Sequence, residues 1–136
     1  MSHPFQVALD SGRLVVFMPT LVRDTAAQFR TLLGMLVSAG FKDIVLDGST
    51  MGFLDSLGLA EIVRSYTFCL RSSGSVTLNR LSKTTRDLLE VTRLVTVFTI
   101  LDVDYSGLQR VEISVDDLGP LLHAGAALNP PYPPSS

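Results

Sequence analysis

Cysteine is nearly missing from this chain. Cys69 stands alone, so no intramolecular disulfide can form. His3 and His123 are its only histidines, and with one cysteine they offer no recognisable zinc-ligand spacing. Neither sign of charge dominates: 11 bases against 13 acids leave a formal charge of −2, short of the basic footprint that phosphate backbones demand, which excludes nucleic acid as the expected partner. No apolar run approaches the roughly 18 residues needed to cross a bilayer, so direct membrane insertion is not expected. Met1 to Asp10 also lacks the basic start and apolar core of a secretory signal. The expected location is the cytoplasm.

What is present fits one folded unit. The 136 residues are 46% hydrophobic and 18% charged, with a mean hydropathy of +0.36, enough apolar side chain for a single core and too little charge for a disordered tail.

Phe5 to Asp10 and Leu14 to Met18 are short apolar runs around the turn pair Ser11-Gly12 and predict a β-hairpin. Pro19 ends the second run. From Asp24 the period becomes helical, with Phe29, Leu32, Leu33, Leu36 and Val37 on one face and Ala39-Gly40 as the stop. Ile44-Val45-Leu46 reads as a strand buried on both faces. A second helix is expected from Asp55-Ser56 to Ser73-Gly74, with Leu59, Ile62, Val63, Tyr66 and Leu70 inward and Glu61, Arg64 and Arg71 facing water. Val76-Thr77-Leu78 predicts the next strand. A short helix capped by Ser82 follows, carrying Leu88, Leu89 and Val91 inward, and Val95 to Leu101 predicts the last strand. Beyond Asp102, Ser114 and Asp117 resemble a helix start, which Gly119-Pro120 would disturb. Residues 1–123 thus form the expected domain. Residues 124–136, with four prolines between Asn129 and Ser136, form an expected flexible tail.

Strands alternating with helices after a hairpin give an α/β fold: a mixed, largely parallel sheet of four to five strands with helices packed against it. Such a sheet does not by itself say what the chain does.

The segment from Asp47 to Leu59, joining the third strand to the second helix, is the informative one. Asp55 and Ser56 fall at the expected helix start, where the first amides lack intrahelical partners and the helix dipole favours negative charge. Gly58 puts no side chain beside Ser56, so another protein could reach the hydroxyl closely. A phosphoserine there would add about −1.5 to −2 charges, which the helix start tolerates and a docked acidic or apolar surface does not. Asp and Ser in this position are also ordinary caps, needing no further purpose.

The order Ile44-Val45-Leu46-Asp47, then Asp55-Ser56-Leu57-Gly58-Leu59, resembles the signature of STAS domains, especially the bacterial anti-sigma factor antagonists. Asp24-Thr25-Ala26-Ala27 is similar to the start of their first helix and Ser73-Gly74 to the turn before their fourth strand. Leu88 to Leu94 followed by Val97-Phe98 resembles their penultimate helix entering the last strand, so the likeness spans about residues 5 to 101. The family pattern differs at Leu57 and Ala60, where it has Ser and Gly, at Pro19 and Val22, where it has Gly and an acid, and at Arg93, where it has Gly. The resemblance implies a non-enzymatic protein, with no cofactor, that binds an anti-sigma factor serine kinase. It implies Ser56 as the phosphoacceptor, a serine phosphatase that restores binding, and a docking face at Thr20, Arg23, Asp24, Asp55, Ser56, Leu57, Gly58, Ala60 and Glu61. The alternative within the family is a STAS scaffold, or an accessory subunit of a lipid-type transporter, in which Ser56 is never modified. Self-association stays open.

Other residues read more plainly. Ser56 lacks a nucleophile-elbow setting and an oriented histidine, which argues against hydrolysis. Asp47 and Asp55 flank one loop but suit a strand end and a helix start better than a metal pair. Gly48, Gly52 and Gly58 lack the spacing and the Lys of a P-loop. Cys69 reads as a small packed side chain.

Overall fold

The computed structural model describes residues 3–127 apart from Phe53. Two strands, β1 (Phe5–Asp10) and β2 (Arg13–Phe17), form the expected hairpin. Ser11 and Gly12 both take positive φ, at 48° and 89°, the pairing that lets a two-residue turn follow the strand twist. Then come α1 (Arg23–Ser38), β3 (Asp43–Asp47), α2 (Ser56–Arg71), β4 (Ser75–Asn79), α3 (Lys83–Val91), a 3₁₀ turn (Leu94–Thr96), β5 (Thr99–Leu101), β6 (Val111–Ile113) and α4 (Gly119–Ala127).

The strands form one sheet in the order β5-β4-β3-β2-β1-β6. From β2 to β5 the neighbours are parallel, while β1 is antiparallel to both β2 and β6. The sheet is the mixed, largely parallel one expected, with six strands rather than four or five. The extra strand, β6, has three residues of which only Ile113 is buried, so its apolar signal is too short to stand out. It pairs with the β1 edge, and Leu121 of α4 joins the main core.

Alternation assigns the sheet's faces. Val7, Leu14, Val16, Ile44, Leu46, Val76 and Leu78 meet the helices in the main core with Phe29, Leu32, Leu36, Ile62 and Leu89. Val15, Phe17 and Val45 point the other way and are covered by Tyr105 and Leu108 from the segment after β5. The Arg110 guanidinium lies 3.8 Å over the Phe17 ring.

Four local expectations are corrected. The buried stripe of α2 runs through Gly58, Glu61, Ile62, Ser65 and Cys69, and Leu70 is exposed. The helix is rotated by about one residue from the hydropathy reading because Ser65 can be buried, its hydroxyl donating to the Glu61 carbonyl at 2.7 Å. Glu61 is therefore inside, not in water. Val91 stands 82% exposed at the end of α3, where the chain turns away from the core. Only Thr99–Leu101 of the run 95–101 pairs as a strand, since Leu94–Thr96 closes a 3₁₀ turn. Arg93, just before it, sits at φ 62°, the left-handed region in which glycine is unstrained. Finally, Pro120 lies in the first turn of α4, where a missing amide hydrogen costs no helix bond, and Asp117 accepts the Gly119 amide at 2.8 Å. That helix runs to Ala127, past the expected boundary after His123; residues 128–136 and the tail expected there lie outside the described residues.

Candidate functional site

Parallel strands β2 and β3 are neighbours, so the segments leaving their C-terminal ends run side by side into α1 and α2. Direct bonds brace them. The Met18 amide donates to the Asp47 carbonyl at 2.9 Å, the Thr50 hydroxyl to the Met18 carbonyl at 3.1 Å, and the Gly52 amide to the Thr20 hydroxyl at 3.3 Å. Behind this pair lies a polar knot on the second face of the sheet. Asp47, 1% exposed, accepts from the Asn79 carboxamide at 2.7 Å and the Ser49 amide at 2.9 Å, and also from the Ser49 hydroxyl. Asn79 exchanges two 2.9 Å bonds with the backbone of Val103. The knot satisfies the buried carboxylate and holds the segment after β3 in place.

Asp55 is the N-cap of α2, its carboxylate accepting the Gly58 amide at 2.9 Å. Ser56 is the first helical residue and exposed. Its side chain makes no hydrogen bond to another described residue. At the start of α1 the cap position is Val22, which has no side-chain acceptor; Thr25 reaches back instead, its hydroxyl oxygen accepting the Val22 amide at 3.0 Å. Two helix starts thus share one edge of the molecule, with apolar Val22 (54% exposed) and Leu57 (38% exposed) on the surface.

Of the residues expected at a docking face, Arg23, Asp24, Ser56, Leu57 and Ala60 are exposed, and Thr20 and Asp55 are half-buried. Gly58 and Glu61 are not at the surface. A Cβ on Gly58 would come within 2.5 Å of Leu54 Cδ1 and 3.5 Å of Leu21 Cβ, so its missing side chain serves packing inside the tip rather than access to Ser56. Glu61 turns into the seam between α1 and α2, where it binds Arg30. The sequence reading missed this pair because a lone Glu in a helix gives no burial signal; Gly34 in the middle of α1 was the available clue to an unusual seam.

Among the described residues no group of three or more His, Cys, Asp or Glu comes together. Asp47 and Asp55 serve separate purposes, one in the polar knot and one as a cap. His3 packs edge-to-face on Phe5 at 5.0 Å. Cys69 is buried, and burial pushes its thiol up to about 11, the opposite of a reactive thiolate.

The STAS domain family model matches residues 17–107, more than half of the chain. This chain belongs to the STAS domain family. Its fold is shared with solved STAS-type structures. A Thermotoga maritima protein assigned as an anti-sigma factor antagonist superimposes with a TM-score of 0.68 at 21% identity, covering 73% of this chain and 86% of that one. The phosphorylated form of SpoIIAA, the Bacillus cell fate determinant, gives 0.60 at 18% identity over 74% and 92%. An anti-sigma factor antagonist STAS domain protein of Planctomyces limnophilus gives 0.60 at 19% over 74% and 91%. No match to a curated protein was found. In this STAS domain, no helix among the described residues is long and apolar enough to cross a membrane.

Proposed function

We propose that this STAS domain is a cytoplasmic anti-sigma factor antagonist, binding an anti-sigma factor serine kinase and switched off by phosphorylation of Ser56, with a serine phosphatase restoring it. The domain then acts on transcription indirectly and performs no catalysis itself. The observation that carries this reading is the exposed Ser56, the first residue of α2, at a braced edge that also exposes Val22 and Leu57. SpoIIAA, with the same fold, exists in phosphorylated and unphosphorylated forms, which supports a phosphorylation switch as the reading of this site.

The physics of the switch is a change of charge without a change of fold. A phosphate on Ser56 meets the positive end of α2 and is tolerated. A partner lying on Val22 and Leu57 would have to desolvate that dianion against apolar surface, at a cost of several kcal/mol.

The test is incubation with an anti-sigma factor serine kinase and ATP, read by intact mass. The expected result is a gain of about 80 Da, one phosphate, absent in Ser56→Ala. Ser56→Ala keeps binding, while Ser56→Asp weakens it by about a hundredfold. Phosphate on another residue, or equal binding by both variants, overturns the reading.

A further inference from the structure

The helices α1 and α2 carry more positive than negative charge on a protein whose net charge is −2, and two of their arginines meet at the seam. The two helices carry Arg23, Arg30, Arg64 and Arg71 against Asp24 and Glu61, and Glu61 is 1% exposed. It is spent internally: its carboxylate accepts from Arg30 across the seam and lies 3.6 Å from Arg64 Nε. Both guanidinium side chains stay more than half exposed, at 52% and 56%. One buried acid therefore fixes two cations in place and leaves their outer donors unused. The hydrogen bond to Glu61 is also the main reason the Arg30 guanidinium holds its proton more firmly than usual.

Between these arginines the helices part around a cavity of about 240 Å³, lined by Leu33, Gly34, Ser65 and Phe68 as well as the ion pair. Gly34 has no internal reason to be glycine. A Cβ there would meet nothing within 4 Å, and its φ is not positive, so the helix carries a destabilising residue that leaves space open toward the outside. The cavity falls below the roughly 300 to 1,000 Å³ typical of sites for whole small ligands and suits a single anchoring side chain.

We propose that this seam docks an acidic segment of a partner protein, which inserts one apolar side chain over Gly34 and places carboxylates on Arg30 and Arg64. The surplus of guanidinium over carboxylate selects the charge of the segment, and the volume selects one anchor. The seam is separate from Ser56 and stands whether or not that residue is phosphorylated.

The test is an amide-resolved NMR titration of the full chain with a short synthetic helical peptide bearing one Phe flanked by Glu, against the same peptide with Lys for Glu, and against octanoate. The acidic peptide is expected to shift the amides of Leu33, Gly34, Ser65 and Phe68, with affinity falling as salt rises. Gly34→Leu, whose Cβ meets nothing within 4 Å and whose side chain would occupy the cavity, should cut the affinity at least about tenfold while the melting temperature holds or rises. Arg64→Gln should cut it about threefold. Equal binding by the lysine peptide, insensitivity to Gly34→Leu, or saturation of the seam by octanoate with no response to the acidic peptide overturns the proposal.

Discussion

The Asn79 carboxamide donates to the buried Asp47 carboxylate at 2.7 Å while the same side chain closes two 2.9 Å bonds with Val103. One residue thus ties the end of β3, the end of β4 and the segment after β5 together on the sheet's second face. Asn79→Leu keeps the approximate volume but leaves Asp47 and Val103 with unmet polar groups. It should cost about 3 kcal/mol, read as a lower denaturation midpoint with an unchanged slope. A cost below about 1 kcal/mol would show the knot to be dispensable.

Two helical glycines should respond with opposite signs. Gly34→Ala adds a methyl into open space and should stabilise by about 0.5 to 1 kcal/mol through helix propensity. Gly58→Ala gains the same propensity but drives its Cβ onto Leu54 Cδ1, and a displaced buried leucine costs about 1 to 3 kcal/mol. The expected net is a loss of about 1 kcal/mol. Thermal unfolding of the two variants checks the pair, and stabilisation by both would contradict the packing at the tip.

Cys69 predicts an alkaline limit. Desolvation raises its folded value from 9.0 to about 11, so the native state holds the proton after the unfolded chain has released it. This contribution is fully present below pH 9 and is lost between pH 9 and 11, and stability should fall across that window. Tyr105, raised mainly by burial, acts in the same direction. Cys69→Ala should flatten the decline. The thiol should also resist alkylation at pH 8 in the native state and react on unfolding.

Arg93 holds a left-handed conformation at φ 62°, which costs an L-residue about 1 to 2 kcal/mol. Arg93→Gly should recover part of it, stabilising by about 1 kcal/mol, as seen in the melting temperature. No gain would mean that its side chain offsets the strain.

The legible parts of this chain are those where one physical signal acts alone. The hairpin at Ser11-Gly12, the strand Ile44-Val45-Leu46 and the first helix all follow from turn chemistry or hydrophobic period. The start of α2 at Ser56 was equally readable from Asp55 as a cap. Legibility fails where polar side chains are buried with partners distant in sequence. Ser65 and Glu61 shift the phase of α2, and the Glu61 carboxylate is met inside by Arg30 from another helix as well as by Arg64. It also fails where strands are too short to show a pattern, as in β5 and β6. For the candidate site, the sequence located the hydroxyl and its cap but not the bracing of the two segments beside it, since the bond from Gly52 to Thr20 spans 32 residues.

That bracing has a consequence for how fast such a surface can be read. Because Thr50, Gly52, Met18 and Thr20 are already fastened to one another, a visiting protein finds a finished platform and surrenders little conformational entropy there on arrival. Association can then proceed without a folding step, and the tempo of any on–off cycle at this edge is left to the enzymes that add or remove the charge.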